Sequence, residues 1–375
     1  MFQAVIGMNF GDEGKGRTVD YLVNSARKPA LVIRHNSSAQ AGHTVVVGDQ
    51  RHVFSHFGSG TLRGADTLLC HKFFVNPLLF NEEWDELEAL GITPRVYVDS
   101  RCAMVSPLDT LLNRELENSR GVLRHGSVGT GFGEAVGRHL KGIDLTFRHP
   151  RRDLIQIQLE RYFLQQVRER NIRTRVLESV KETLWDGKYD WMSYWLAVDL
   201  MMRRVRIVHN LSEFLRARAS RNQIIFEAAQ GLKLSQNAVA HGAPDHATWC
   251  NTGSFDILEV LRDAELDGML DIHYVTRTYV TRHGAGPLEG ETEMPDWAVC
   301  DTNVPNEWQG TMRFAPFQSH YVMKDAFNDW TSAKFFGERE VDRKIVLTCL
   351  DKTPGHMMPP NLPDFDIIFS DPENV

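Results

Sequence analysis

The chain has 375 residues, 42% hydrophobic and 24% charged, which excludes a disordered protein lacking the apolar surface to offset its ordering entropy. A formal net charge of -7 disfavours a nucleic-acid partner. No apolar run approaches the roughly 18 residues that read as a membrane span, so no membrane partner is expected. The opening MFQAVIGMNFGDEG has neither the basic segment nor the cleavage site of a signal peptide. Five scattered cysteines (Cys70, Cys102, Cys250, Cys300, Cys349) lack a CxxC pair and read as idle thiols in a reducing, cytoplasmic setting.

In chain order, AVIGM is an apolar run that stops at glycine-rich sequence and predicts a buried strand, and a helix is expected from near Lys15. ALVIR (Ala30–Arg34) and RVYVD (Arg95–Asp99) predict two more strands. Apolar residues at helical spacing predict helices over Leu154–Arg168 and Asp190–Arg203, the second with Trp191, Trp195, Leu196 and Met201 toward the core. Later strands are expected at QIIFEAA (Gln223–Ala229), HYVTRTYV (His273–Val280) and KIVLTCLD (Lys344–Asp351). Strands alternating with helices predict an α/β fold with a central, mostly parallel sheet flanked by helices. No repeat or linker divides the chain, so residues 1–375 are read as one large domain.

In such sheets chemistry gathers at the carboxyl ends of the strands. After the first strand comes Gly11-Asp12-Glu13-Gly14-Lys15-Gly16. Glycines let successive N–H groups turn toward an anion, a helix start adds its dipole, and Lys15 adds a positive charge. The loop is related to a P-loop but has shorter glycine spacing and acids inside. Phosphate repels a carboxylate unless Mg²⁺ lies between them or the carboxylate serves as a base, and Asp12 is the candidate for both. After the second strand comes Asn36-Ser37-Ser38-Ala39-Gln40-Ala41-Gly42-His43-Thr44. There His43 can reach a phosphoryl oxygen as a proton or hydrogen-bond donor.

Six segments in order resemble the adenylosuccinate synthetase family: GDEGKG (Gly11–Gly16), AGHT (Ala41–Thr44), VGTGFG (Val128–Gly133), FEAAQG (Phe226–Gly231), TRHGAGP (Thr281–Pro287) and TCLD (Thr348–Asp351). The resemblance implies a ligase that joins L-aspartate to the 6-carbon of a purine nucleotide after phosphorylating the 6-oxygen. By resemblance, Asp12 takes the N1 proton, His43 stabilises the transferring phosphoryl group, and Gln230 bonds the purine 6-oxygen. Asp12 and the Gly42 carbonyl match Mg²⁺-holding positions. Gly11, Glu13, Gly14, Lys15, Gly16, Thr44, Thr348 and Asp351 match the triphosphate site. Gln40, Gly129, Thr130 and Thr248 match contacts to the purine nucleotide. Arg138 matches an arginine that reaches the substrate phosphate from a neighbouring subunit, implying a homodimer.

Four departures bear on specificity. The family's GGHNAGH reads SSAQAGH, so Gln40 replaces an asparagine, and YPYVTSS reads PDHATWC within His241–Asn251. The aspartate loop reads EWQGTMRF (Glu307–Phe314): Arg313 matches one carboxylate-binding arginine, while Thr311 stands where another also bonds the ribose 2′-hydroxyl. TKLD reads TCLD, and the chain ends IIFSDPENV without the family's usual tail. That weakens a guanine pocket for the donor and favours ATP or dATP over GTP. These departures resemble the viral branch of the family, which acts on dGMP in making 2-aminoadenine DNA, and a phage chain would work in the host cytoplasm. Some viral members replace the loop aspartate by a small residue, whereas Asp12 is retained here. The alternatives are an ordinary member using IMP and GTP, or an inactive purine-nucleotide-binding regulator.

Overall fold

The run FQAVIG is buried at every position and forms β1 (Phe2–Gly7), as a strand covered on both faces must. The computed structural model describes residues 1–121, 124–148, 152–172, 190–236, 246–298, 310–336, 339–357, 359 and 365–369. Eight more strands join β1: β2 (Ala30–Arg34), β3 (Asp66–Leu69), β4 (Val96–Asp99), β5 (Val205–Val208), β6 (Gln223–Gly231), β7 (Leu270–Arg277), β8 (Val341–Thr348) and β9 (Ile367–Ile368). They make one sheet in the order β9-β8-β7-β1-β6-β2-β3-β4-β5, and every adjacent pair is parallel. The central parallel α/β sheet expected from the sequence is present.

The helices are α1 (Lys15–Asn24), α2 (Pro77–Ala89), α3 (Pro107–Arg120), α4 (Phe132–His139), α5 (Arg152–Glu169), α6 (Trp191–Arg204), α7 (Leu211–Ala219), α8 (Phe255–Asp263) and α9 (Ser319–Phe336). Alternate strand residues feed opposite faces of the sheet. Ala4, Ile6, Leu31, Ile33 and Phe226 pack with residues of α7, α8 and α9, while Val5, Val32 and Ile225 pack with Val19 and Leu22 of α1. A third cluster joins Leu69, Val96 and Val98 to α2, α3, α5 and α6. Four of the described starts are capped by side chains: Asn76 accepts from the Leu78 and Leu79 N–H groups, Ser106 forms a capping box with Asp109, and Asp190 and Asn210 accept from the Ser193 and Glu213 N–H groups. Each such cap is worth about 1 kcal/mol.

Three expectations need correction. Leu196 does not face the core but is 63% exposed. The buried stripe of α6 is Trp191, Tyr194, Val198 and Met201, and Leu196, five residues past Trp191, falls on the far side of a 3.6-residue helix. The segment His273–Val280 is not one strand. The sheet strand ends at Arg277, and Tyr279–Arg282 pairs antiparallel with Arg313–Pro316 in a separate ribbon. The last predicted strand ends at Thr348 rather than Asp351. Among the described residues, no helix is long and apolar enough to cross a membrane. Cys70, Cys102, Cys250 and Cys349 are free thiols, and Cys300 lies outside the described residues.

Candidate active site

Because β6 lies between β1 and β2, the loops after these three strands meet at one edge of the sheet. The loop after β1 is stitched internally. The Glu13 carboxylate accepts the Asn9 and Gly11 N–H groups at 3.1 and 2.8 Å. Buried Lys15 donates to the Gly11 carbonyl at 2.7 Å and pairs with Glu13 at 3.2 Å. From the end of β8, Thr348 donates its hydroxyl to the Glu13 carbonyl at 2.7 Å. Glu13, Lys15 and Thr348 therefore shape the loop from within, with Gly14 and Gly16 on either side of the first residue of α1. Gly11 has φ +116°, and a Cβ there would stand 3.2 Å from the Gln230 Cα. A glycine is needed for the two loops to touch. Gln230 itself has φ +64°, a sparsely populated region for a non-glycine residue that is most often tolerated at functional sites.

His43 opens the strand His43–Val47, which returns as Gln50–Phe54. Its buried Nδ1 is 2.5 Å from Oε1 of Glu227, in the middle of β6, and Glu227 also accepts the N–H of Ser59 at 2.9 Å and the Ser59 hydroxyl. Burial pushes the imidazole down to about 4 against the pull of Glu227, with the Arg34 and Lys15 charges adding to the shift. For Glu227, burial favours the protonated form but is outweighed by His43, Arg34 and the Ser59 bonds, leaving it at about 2. At neutral pH Glu227 is charged and His43 neutral, so Nδ1–H donates to Glu227. Nε2 then presents a lone pair, buried and with no hydrogen-bond partner among the described residues.

His35, next to β2, is also pushed down to about 4, chiefly by burial. Both rings bind protons in the unfolded chain between pH 6.5 and 4 but not in the folded one, so stability falls as pH drops through that window. A shift of this size corresponds to about 3 kcal/mol per ring. Thermal unfolding is expected to move steadily to lower temperature from pH 7 to 4.5, with a shallower slope in His35→Leu. An unchanged slope in that variant would remove His35 from the account.

A cavity of about 820 Å³ opens over these loops, within the usual range for a small-molecule site. Gly11, Asp12, Gln40, Gly42, His43, Thr44, Thr130, Gln230 and Thr248 all line it. Asp12 lies 3.6 Å from Nε2 of His283, which lines the cavity beside Arg282. This set joins a carboxylate that can take a proton, an imidazole that can exchange one, and a neutral amide that can bond a polar heterocycle without adding charge. Asp12 and the Gly42 carbonyl are hard oxygen donors of the kind Mg²⁺ takes, so the residues fit that ion.

Other expected residues sit elsewhere. Arg138 is not at the surface: it is fully buried, bonded to Asp109 at 3.0 Å and to the Ile143 and Met104 carbonyls at 2.6 and 2.8 Å. Its guanidinium ties α4 to the start of α3. Arg313 is likewise engaged, with both carboxylate oxygens of Glu291 and with the Gly284 and Gly286 carbonyls. Thr311 and Asp351 are exposed and do not line the cavity, and Gly129 accepts from Arg114. Parts of three sequence segments, residues 241–245, 307–309 and 370–375, lie outside the described residues. Residues that sequence reasoning left without a role are Glu227, Ser59, Arg34 and His283. For Glu227 there was a signal, an acid in the middle of an otherwise apolar strand. Cys70, His71 and Asp99 form a cluster with metal-capable donors, but Arg101 already pairs with Asp99 at 2.6 Å.

The fold is thus a parallel α/β sheet with a glycine-rich loop, an acid and a partnered histidine at its carboxyl edge. Residues 4–309 match the model of the adenylosuccinate synthetase family, and the chain belongs to that family. It is 30% identical over 304 residues to the adenylosuccinate synthetase of Acidithiobacillus ferrooxidans, covering 76% of this chain and 64% of that one. To the enzyme of Acinetobacter baylyi it is 29% identical over 311 residues, covering 80% and 65%. The chain thus spans a little under two thirds of the length of these curated relatives. Among solved structures, the fully ligated adenylosuccinate synthetase of Plasmodium falciparum has TM-score 0.68 at 17% identity, covering 94% of this chain and 78% of that one. The cyanophage S-2L succinoaminodeoxyadenylate synthetase, bound to dGMP and to dATP as an energy donor, has TM-score 0.62 at 18% identity, covering 99% and 93%.

Proposed function

We propose that this chain ligates L-aspartate to the 6-position of a purine nucleotide through a 6-phosphoryl intermediate. The observation that carries the reading is the convergence of Asp12, His43 and Gln230 on one cavity. Asp12 takes the proton from purine N1, and the resulting 6-oxyanion attacks the γ-phosphorus of a nucleoside triphosphate and releases the diphosphate. The amine of aspartate then attacks C6, and inorganic phosphate leaves with the former 6-oxygen. His43 Nε2 faces the phosphoryl group, held in one orientation by Glu227. Asp12 and Gly42 would hold Mg²⁺, whose charge lets the carboxylate and the phosphates share a site.

The favoured substrate is dGMP, giving N6-succino-2-amino-2′-deoxyadenylate, with ATP or dATP as donor. Support comes from Thr311, which stands where the family's ribose-binding arginine is expected, and from Cys349 in place of the lysine of the guanine-binding segment. The phage enzyme that shares this fold was captured with dGMP and dATP. The second reading, IMP with GTP, is favoured by sequence relatives named as adenylosuccinate synthetases and by retention of Asp12. The deciding assay offers IMP, GMP and dGMP, each with ATP, dATP or GTP, in the presence of Mg²⁺ and aspartate, and follows phosphate release. Turnover of dGMP with an adenine donor supports the proposal. Turnover of IMP alone returns the chain to ordinary adenylosuccinate synthesis, and no turnover with any pair leaves a nucleotide-binding regulator.

The sugar gives a separate prediction. Wild-type protein should use dGMP at least as well as GMP, and Thr311→Arg should shift preference toward GMP. A neutral bond to the 2′-hydroxyl contributes about 0.5–1.5 kcal/mol and a charged donor up to about 3, so the shift is several-fold to roughly a hundredfold in kcat/KM. Unchanged preference in Thr311→Arg would place the sugar contact elsewhere.

A further inference from the structure

Trp249 lines the cavity and is left 53% exposed, although its backbone is pinned on both sides. The Thr248 N–H donates to the Leu234 carbonyl at 2.7 Å, and the Gln236 N–H donates to the Cys250 carbonyl at 3.0 Å. Next in the chain, Cys250 is buried with Phe74 and Phe132. The exposure of the indole is therefore built in and does not come from a loose segment.

Against one side of the indole lies the first turn of α4. A Cβ at Gly133 would stand 2.9 Å from Cδ1 and Nε1 of Trp249, so a larger residue there would push the ring from this position. The ring is thus backed by main chain and open toward the cavity, beside Thr130 and Thr248. An aromatic side chain buries 150–250 Å² when covered, and leaving much of that open inside a concave site makes sense when a ligand covers it. The family segment that His241–Asn251 resembles has serine at this position.

We infer that Trp249 is the surface on which the nucleoside of the purine monophosphate packs, an inference that rests on the purine-ligase reading. The recognising chemistry is a flat, weakly polar face, which either the base or the sugar ring can supply.

The test measures binding of dGMP, 2-deoxyribose 5-phosphate and inorganic phosphate to the full chain by calorimetry and tryptophan fluorescence. Stacking on an aromatic side chain predicts that Trp249→Ala weakens dGMP about five- to hundredfold with little change for inorganic phosphate. Trp249→Phe should keep most of the affinity while losing the fluorescence change, which separates a lost platform from a misfolded variant. If the sugar phosphate weakens by the same factor as dGMP, the sugar is the group that packs; if it does not, the base is. Equal dGMP affinity in wild type and Trp249→Ala overturns the inference and leaves the ligase reading intact. Failure of wild type to bind dGMP, GMP or IMP overturns the ligase reading and this inference with it.

Discussion

Asp12→Asn is expected to abolish ligation while leaving nucleotide binding largely intact. The substitution keeps the size of the side chain and most of its hydrogen bonding but removes the negative charge and the capacity to take a proton. Loss of a positioned general base costs about 10²–10⁴-fold in rate, and loss of a Mg²⁺ donor would add to it. Geometry supports this role, since the carboxylate lines the cavity with Gln230 and its one partner among the described ion pairs is His283, at 3.6 Å. Phosphate release measured with the best substrate pair, together with calorimetric binding of the monophosphate, checks both halves of the expectation. Near-normal turnover would remove Asp12 from the proton transfer. His283→Ala should have a smaller effect, because it leaves the base in place.

Much of the fold was legible because buried parallel strands are continuous apolar runs. Residues 30–34 begin and end where the sequence puts them, and the helix expected near Lys15 starts there. Short strands were missed for a physical reason. Residues 205–208 follow α6 with no turn residue between, and residues 66–69 number only four and open on an acid. The loops of the site were readable from their glycines and their place after strands. What could not be read was the partner each side chain chooses once the chain folds. Arg138 and Arg313 look alike in sequence as phosphate- or carboxylate-binding groups, yet each is neutralised within the fold, by Asp109 and by Glu291. Glu227 shows the reverse: its role depends on His43, which lies 184 residues away in sequence and meets it only because β6 sits beside β2.

That pairing gives the second large effect. His43→Ala should lower kcat about 10²–10³-fold, the usual loss when a donor aimed at charge developing in the transition state is removed, with a much smaller change in KM. Glu227→Gln tests whether the carboxylate acts through the histidine. Because Glu227 holds the proton on Nδ1, a neutral amide in its place can either accept from Nδ1–H or donate to a bare Nδ1. Neither arrangement supplies the negative charge that stabilises the ring when it carries a second proton and donates from Nε2, so kcat should fall, though by less than in His43→Ala. If the two residues act as a unit, adding Glu227→Gln to His43→Ala should cost little more than His43→Ala alone. Burial holds the imidazole neutral above about pH 4 in the free protein, and bound phosphates would favour its charged form. Activity that needs the protonated ring should therefore fall as pH rises through the ring's titration in the complex, and that limb of kcat should move to lower pH in Glu227→Gln. A merely structural role for Glu227 would leave that limb where it is, and a change in KM alone on His43→Ala would make His43 a binding residue.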